Sequence, residues 1–158
     1  MRSGRLRRAD APLLGVFLSA SVLGGASAGI LSKPGTRYDL LNKPWFAPPE
    51  WFFAPLWLAS LVALAIVGWR IWRAVGEPRE LLLMLWAVQL VLVWLWPPVF
   101  LLFGPPELAL LIICSVAFIQ MLLALCMRWD RLVLKLLLPC LGWLFSVFWF
   151  TGWIVVMN

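Results

Sequence analysis

The feature that most constrains this chain is a series of five apolar runs, each about twenty residues long, that together fill most of its 158 residues. About twenty apolar residues is the length that crosses a hydrocarbon core of roughly 30 Å as an α-helix. Transmembrane β-strands would instead alternate apolar and polar residues, and no segment here does so. Because 64% of the residues are hydrophobic and only 13% are charged, a soluble globular domain is excluded. The sequence therefore predicts an all-α integral membrane bundle.

Clusters of proline, glycine and charged residues mark the boundaries of the predicted spans. We place the five spans, within a single domain of residues 1–158, at residues 11–32, 51–73, 80–103, 106–127 and 132–156. Only the loop between the first and second spans is long. Because prolines lack an N–H and bias their predecessors toward extended geometry, we expect this loop to be structured, stiff and non-helical. Its prolines include Pro44, Pro48 and Pro49.

The N-terminal segment resembles a signal peptide, because four arginines precede an apolar run that contains an Ala26-Ser27-Ala28 cleavage pattern. The apolar run continues to Leu31, however, and Ser21, Gly25 and Gly29 recur at four-residue spacing. Such small residues let another helix approach closely, either within the bundle or across a dimer contact. We therefore expect a retained first helix.

The lysines and arginines predict the orientation in the membrane. Ten of them flank the side that holds the N-terminus, and three flank the other side. The positive-inside rule then predicts a cytoplasmic N-terminus, with the long loop and the C-terminus on the opposite side. The helical build favours a bacterial inner membrane. Because the basic residues stand in short groups between apolar runs, they indicate topology, and a nucleic-acid partner is not predicted.

Few residues here are suited to acid–base or metal chemistry. Histidine is absent and the seven carboxylates lie in loops or at span ends, so we expect neither a catalytic acid–base pair nor a metal site. We expect Cys114, Cys126 and Cys140 to be free, buried thiols, since each lies in an apolar run. The central thirds of the spans contain no ionisable group, which disfavours proton-coupled transport. Gln89 is expected to hydrogen-bond across helices.

An aromatic, proline-rich segment carries the most specific motif. The sequence "KPWFAPPEWFFAPLW" at residues 43–57, preceded by "YDLLN" and followed by "GWRIW", resembles the signature of the TspO/translocator-protein family of tryptophan-rich sensory proteins and peripheral benzodiazepine receptors. The likeness continues in "QLVLVWLWPPVF" at 89–100 and "WDRLVLKLLLPCLGW" at 129–143. The resemblance implies a five-helix bundle, often a homodimer, whose first loop closes over a pocket for tetrapyrroles, sterols or benzodiazepine-like drugs.

Carried over position by position, the resemblance implies a set of ligand-binding residues near the first loop and on three helices. They are Tyr38, Pro48, Trp57, Val93, Trp143 and Val147. Arg37 and Lys43 would pair with the propionates of a porphyrin- or haem-type tetrapyrrole. We expect the tetrapyrrole as a ligand and not as an obligatory cofactor. Membrane lipid and a sterol-like molecule are the other expected partners.

The chain departs from the family's pattern at several pocket positions. Val93 and Thr151 replace asparagines, Pro139-Cys140 replaces Pro-Tyr, Arg37 replaces an aromatic residue and Leu61 a tyrosine. An apolar wall cannot strongly reject a near-isostere. We therefore expect a less selective pocket, with benzodiazepine-type recognition the least expected property.

Together these inferences predict a membrane receptor or carrier-like protein that binds tetrapyrroles for sensing, buffering or transport. Two alternatives stay open. One is a light-dependent porphyrin-degrading enzyme that acts through Trp57 and Trp143, and the other is a sterol- or lipid-binding or scaffold membrane protein without tetrapyrrole binding.

Overall fold

The computed structural model describes residues 10–32, 36–47, 50–74 and 78–158. Within these ranges the chain forms helices and no strand, and five of the helices are long and apolar enough to cross a membrane. The elements are α1 (Asp10–Leu31), α2 (Thr36–Leu40), α3 (Glu50–Arg73), α4 (Arg79–Pro98), a π-helical turn (Val99–Phe103), α5 (Pro106–Cys126) and α6 (Arg131–Met157). The predicted all-α bundle of five spanning helices is thus confirmed.

The five long helices pack in a closed ring. α1 contacts α3, α3 contacts α6, α6 contacts α5, α5 contacts α4, and α4 returns to α1. α3 also touches α4 across the ring, and α2 packs on the π turn. The short helix α2 was not predicted, and it places part of the first loop over one end of the bundle, which we call the loop end.

Small residues allow the closest approaches between helices. Ser21 on α1 is fully buried, and a Cβ added at Gly25 would overlap the side chain of Leu61 on α3. On α3, a Cβ at Gly68 would overlap the indole of Trp86 on α4. Van der Waals packing of this kind holds helices together in lipid, where no hydrophobic force acts between them. Ser21 and Gly25 therefore serve packing inside the bundle.

Prolines shape two helices near the loop end. α3 begins at Glu50, close to the predicted start of the second span at residue 51, and it includes Pro55. So close to the start of a helix, a proline removes a single backbone hydrogen bond, to the carbonyl of Trp51. In α4, Pro97 and Pro98 remove two such bonds near its end.

The helix widens directly after these two prolines. Residues Val99–Phe103 form the π turn, and the N–H of Gly104 donates to the carbonyl of Val99 at 2.8 Å. Short π segments inside helices are rare and frequently lie at functional sites. Here the irregular segment faces α2.

Buried amides tie three helices together. Gln89 Nε2 on α4 donates to Gln120 Oε1 on α5 at 2.8 Å, and Gln120 Nε2 donates to the carbonyl of Leu137 on α6 at 2.9 Å. Both glutamines are almost completely buried. The prediction that Gln89 hydrogen-bonds across helices is confirmed.

An ion pair fixes the end of the bundle opposite the loop end. Arg70 on α3 lies 2.5 Å from the carboxylate of Asp130, which is buried. Asp130 also caps α6, since its Oδ1 accepts from the N–H groups of Leu132 and Val133 at 3.0 and 3.4 Å. One carboxylate therefore joins the end of α3 to the start of α6.

The cysteines are free, as expected, but only Cys140 is buried. Cys114 and Cys126 lie exposed on the outer side of α5. Their expected burial is wrong because a lipid-facing side chain meets surroundings as apolar as the bundle interior. An apolar stretch of sequence therefore does not show whether a cysteine faces lipid or the bundle interior.

Candidate functional site

A cavity of about 480 Å³ lies between α1, α3, α4, the π turn and α6 at the loop end, and Tyr38 of α2 forms part of its wall. We call it the inner cavity. Its walls are mostly apolar, as is usual for small-molecule sites of roughly 300–1,000 Å³. Six aromatic side chains line it: Tyr38, Phe53, Trp57, Trp96, Phe100 and Phe150.

Trp96 is the centre of this aromatic wall. The rings of Phe53 and Trp96 are stacked, with centroids 5.8 Å apart and planes 7° apart, and Trp96 stacks in turn on Phe100 at 5.0 Å and 16°. Trp57 lies 6.1 Å from Trp96. Trp96 and Phe100 are four residues apart, so they share one helical face on either side of the proline pair. The result is a stack of three nearly parallel rings contributed by α3, α4 and the π turn.

The first loop supplies the side of the cavity nearest the loop end. The ring of Tyr38 on α2 meets Phe100 edge-on at 5.6 Å. Lys43 Nζ lies 4.0 Å from the centre of the Tyr38 ring and 3.9 Å from Asp39 Oδ1. A cationic group thus stands beside a residue that lines the cavity.

A second, membrane-facing depression lies between α3 and α6. We call this space of about 530 Å³ the outer groove. It is lined by Phe46, Phe52, Phe53, Leu56, Trp143, Phe145, Ser146, Val147, Trp149 and Phe150. Phe53 and Phe150 line the inner cavity as well. The two spaces are therefore neighbours that share these two rings.

The structure divides the residues predicted to bind ligand into separate groups. Tyr38 and Trp57 line the inner cavity. Trp143 and Val147 line the outer groove, and Trp143 meets Phe53 edge-on at 4.7 Å. Val93 is 7% exposed in the bundle core and lines neither space.

The remaining predicted residues belong to the first loop. Lys43 lies over the ring of Tyr38, as described above, and does not itself line the cavity. Pro48 lies outside the described residues, and Arg37 belongs to α2 with its side chain outside the described part.

Comparison with known proteins agrees with this architecture. A family model described as the TspO/MBR family matches residues 14–155. The chain belongs to the TspO/MBR family. It is accordingly an integral membrane protein.

Relatives of this TspO/MBR protein come from animals and bacteria. The translocator protein of Sus scrofa is 34% identical over 139 residues, which cover 84% of this chain and 77% of that protein. The tryptophan-rich sensory protein of Cereibacter sphaeroides is 37% identical over 84 residues, covering 53% of this chain and 51% of the relative. Protein CrtK of Rhodobacter capsulatus is 36% identical over 99 residues, covering 61% and 60%. The resemblance inferred from the motifs is confirmed.

Four aromatic residues of this TspO/MBR protein's inner cavity were not predicted from sequence. They are Phe53, Trp96, Phe100 and Phe150. Phe53 lies one helical turn before Trp57 on α3, and Phe150 lies three residues after Val147 on α6. The predicted residues therefore indicated the correct parts of α3 and α6. The signal for Trp96 and Phe100 was the double proline between them, which marks irregular backbone.

The chemistry available to this TspO/MBR protein in the inner cavity is stacking and burial. Its described lining has no carboxylate or thiol, and the described residues contain no group of three or more His, Cys, Asp or Glu side chains that could hold a metal. The indole N–H groups of Trp57 and Trp96 are buried without a hydrogen-bond partner. Unpaired buried donors cost about 1–3 kcal/mol each. These two indole N–H groups are therefore available to donate hydrogen bonds to an acceptor inside the cavity.

Proposed function

We propose that the protein is a membrane receptor or carrier that binds a porphyrin-type tetrapyrrole in the inner cavity. The observation that carries the proposal is the aromatic lining of the inner cavity, in which Phe53, Trp96 and Phe100 form a stack with Trp57 beside it. A planar macrocycle suits such a lining, because its large apolar faces can pack against the aromatic side chains that surround the cavity. Burial at about 25 cal/mol per Å² then supplies affinity without a strong polar contact.

The relatives' names favour a receptor or carrier over an enzyme. They are called translocator proteins and a tryptophan-rich sensory protein. A sensor binds a ligand and signals its presence, and a translocator binds a ligand and releases it. Ligand binding is common to both names. The cavity lining, which lacks carboxylates and thiols in its described part, offers no general base for turnover.

The side of the cavity formed by Tyr38 suits an acidic ligand edge. Lys43 Nζ lies above Tyr38, which is part of the cavity wall. A tetrapyrrole that binds in the cavity with its propionates toward Tyr38 would meet this ammonium group. Its neighbour Asp39 is well exposed and 3.9 Å away, so its competition for the ammonium is weakened by solvent.

The test is a titration with protoporphyrin in the dark, monitored by the shift of the pigment's own absorption band. We expect saturable binding near micromolar concentration in the wild-type protein. Trp57→Leu and Trp96→Leu should each weaken it about tenfold, since each removes an aromatic ring from the cavity lining. Trp129→Leu is the matched control, because Trp129 is 63% exposed and lies between α5 and α6 at the opposite end of the bundle.

Non-saturating binding that is equal in all four proteins would overturn the proposal. Illumination of the bound samples separates the enzyme alternative from the receptor. Pigment loss that requires Trp57 would favour light-dependent degradation, whereas a stable bound pigment supports binding alone.

A further inference from the structure

The helices α1 and α3 touch at one level and separate toward the loop end. A Cβ added at Gly25 of α1 would overlap the side chain of Leu61 on α3. Gly29 lies four residues later on the same face of α1, and a Cβ added there would meet no atom within 4 Å. A gap therefore opens between the two helices one turn beyond this contact. We call the gap the α1–α3 window, and it is bordered by Gly29, Ile30, Ala54 and Leu58.

The residues of the α1–α3 window belong both to the wall of the inner cavity and to the outer surface of the bundle. All four line the cavity and all four are exposed, Ile30 to 68% and Leu58 to 47%. The aromatic residues of the other walls are closed off from the surface, since Trp96, Phe100 and Phe150 are only 6%, 4% and 5% exposed. A molecule can therefore enter the cavity between α1 and α3 without displacing a core side chain.

The surroundings of the α1–α3 window are lipid. The window lies within the segments Ala11–Leu31 and Trp51–Arg73, which are both long and apolar enough to span a membrane. Leu58 follows Glu50, the first residue of α3, by eight residues, which is about 12 Å along the helix axis. The exposed indole of Trp51 near the start of α3 is typical of the membrane interface. The window therefore lies on the hydrocarbon side of that interface.

The lining of the inner cavity determines what enters from the bilayer. Its described residues carry no charged side chain, and apolar cavities do not hold water, which needs polar partners. An empty space of about 480 Å³ would leave its walls without van der Waals contacts on one side. The acyl chains of the surrounding lipids are flexible, apolar and in contact with the window. An acyl chain can therefore fill the space, whereas a lipid headgroup would lose its hydration there.

We propose that the α1–α3 window admits an acyl chain of a bilayer lipid into the inner cavity, where the chain packs against Trp57, Trp96 and Phe100. The chain is a second kind of occupant for this cavity. Its entry does not depend on the proposed function, because it requires only that the cavity be open to lipid.

The test uses phosphatidylcholine nanodiscs in which part of the lipid carries a photoreactive diazirine at the end of one acyl chain. After irradiation without pigment, the labelled residues are identified by mass spectrometry of the digested protein. We expect labels on Trp96 and Phe100, which line the inner cavity and are almost completely buried. Phe118 of α5 is 65% exposed and serves as the reference for lipid contact at the surface.

Two substitutions narrow the α1–α3 window from opposite sides. Gly29→Phe has room for its side chain, since an added Cβ meets no atom within 4 Å. Ala54→Phe acts from α3 and keeps the test valid if the first variant folds poorly. Each should lower the labelling of Trp96 and Phe100, relative to Phe118, at least about fivefold, because the ring occupies the space that the chain must cross.

Gly15→Phe is the matched control. Gly15 is an exposed glycine of the same helix, and an added Cβ there also has no neighbour within 4 Å. It borders neither the inner cavity nor the outer groove. Gly15→Phe should therefore leave the labelling ratio unchanged.

The outcomes separate this proposal from the proposed function. Labelling of Phe118 without labelling of Trp96 or Phe100 in the wild-type protein would overturn the window, even if protoporphyrin binds. Equal labelling ratios in the wild type, Gly29→Phe and Ala54→Phe would show that the chain enters elsewhere and would also overturn it. Cavity labelling that both variants abolish, in a protein that does not bind protoporphyrin, would support the window and overturn only the tetrapyrrole proposal.

Discussion

Asn42 and Asn158 exchange two hydrogen bonds although 116 residues separate them in the chain. A third bond runs from Asn42 Nδ2 to the carbonyl of Met157 at 3.4 Å. Asn158 Nδ2 also donates to the carbonyl of Ile154, so the same side chain closes the last turn of α6. The position of the loop next to Tyr38 therefore depends on the last turn of the fifth long helix.

Replacement of Asn158 by alanine should loosen the first loop without unfolding the bundle. The Asn42 N–H loses its acceptor, and a net hydrogen bond is worth about 1 kcal/mol. We expect the amide of Asn42 to exchange with deuterium about fivefold faster, with little change in α3 or α4. Asn158→Asp keeps the acceptor and should give a smaller increase. Equal exchange in all three proteins would show that the Asn42–Asn158 hydrogen bonds, which we call the Asn42–Asn158 clasp, do not hold the loop.

The close contact between Gly68 and Trp86 predicts a large effect from one methyl group. Gly68→Ala would force the Trp86 indole to move, although its Nε1 donates to the Leu64 carbonyl at 2.8 Å. Overpacking of this kind costs about 1–3 kcal/mol. Gly142→Ala on α6, where an added Cβ has no neighbour within 4 Å, is the control and should be neutral or slightly stabilising. Unfolding in mixed detergent micelles measures both variants.

The five long helices were predictable because the bilayer imposes a length on every spanning segment. A run of about twenty apolar residues has no other stable form in lipid than a helix. The family motif in residues 43–57 then indicated where the site lies, since Phe53 and Trp57 within it line the inner cavity.

The distribution of side chains between interior, groove and lipid was not predictable in the same way. Trp57 and Trp143 look alike in sequence, yet one lines the inner cavity and the other the outer groove. Lipid is as apolar as the interior, so hydrophobicity carries no signal for the inward face. The Asn42–Asn158 clasp was missed because it joins two positions whose proximity exists only in the folded chain.

The amide chain through Gln89 and Gln120 should behave as one unit. Gln120→Leu removes both bonds and leaves the Gln89 amide buried and unpaired, whereas Gln89→Leu leaves the bond from Gln120 to the Leu137 carbonyl intact. Gln120→Leu should therefore destabilise more. The double variant should recover part of the loss, with a coupling energy of about 0.6–1.7 kcal/mol. Strict additivity in a double-mutant cycle would argue against this network.

Replacement of Asp130 by alanine should destabilise the protein more than replacement by asparagine. Asp130→Ala removes the cap of α6, worth about 0.5–2 kcal/mol, together with the ion pair to Arg70. Asp130→Asn keeps an acceptor for the N–H groups of Leu132 and Val133 and loses only the charge. Melting temperatures in detergent should fall in the order wild type, Asn, Ala. An asparagine variant as unstable as the alanine variant would show that the charge, and not the cap, dominates.

Val93 stands where the family's pattern has an asparagine, and Val93→Asn tests whether that amide would reach a ligand. Its side chain is 7% exposed and borders neither the inner cavity nor the outer groove. Val93→Asn would therefore place an amide among packed apolar side chains, at a cost of about 1–3 kcal/mol. We expect lower thermal stability and an unchanged protoporphyrin affinity.

Val93→Thr is the matched control for that experiment. It has nearly the same shape, and in a helix its hydroxyl can donate to a carbonyl three or four residues earlier. It should lose less stability than the asparagine variant and bind ligand equally. A gain in affinity that is specific to Val93→Asn would show that position 93 reaches the ligand. The inner cavity would then have to extend past Trp96 into the core between α4 and α5, which would change the size of ligand that the site can accept.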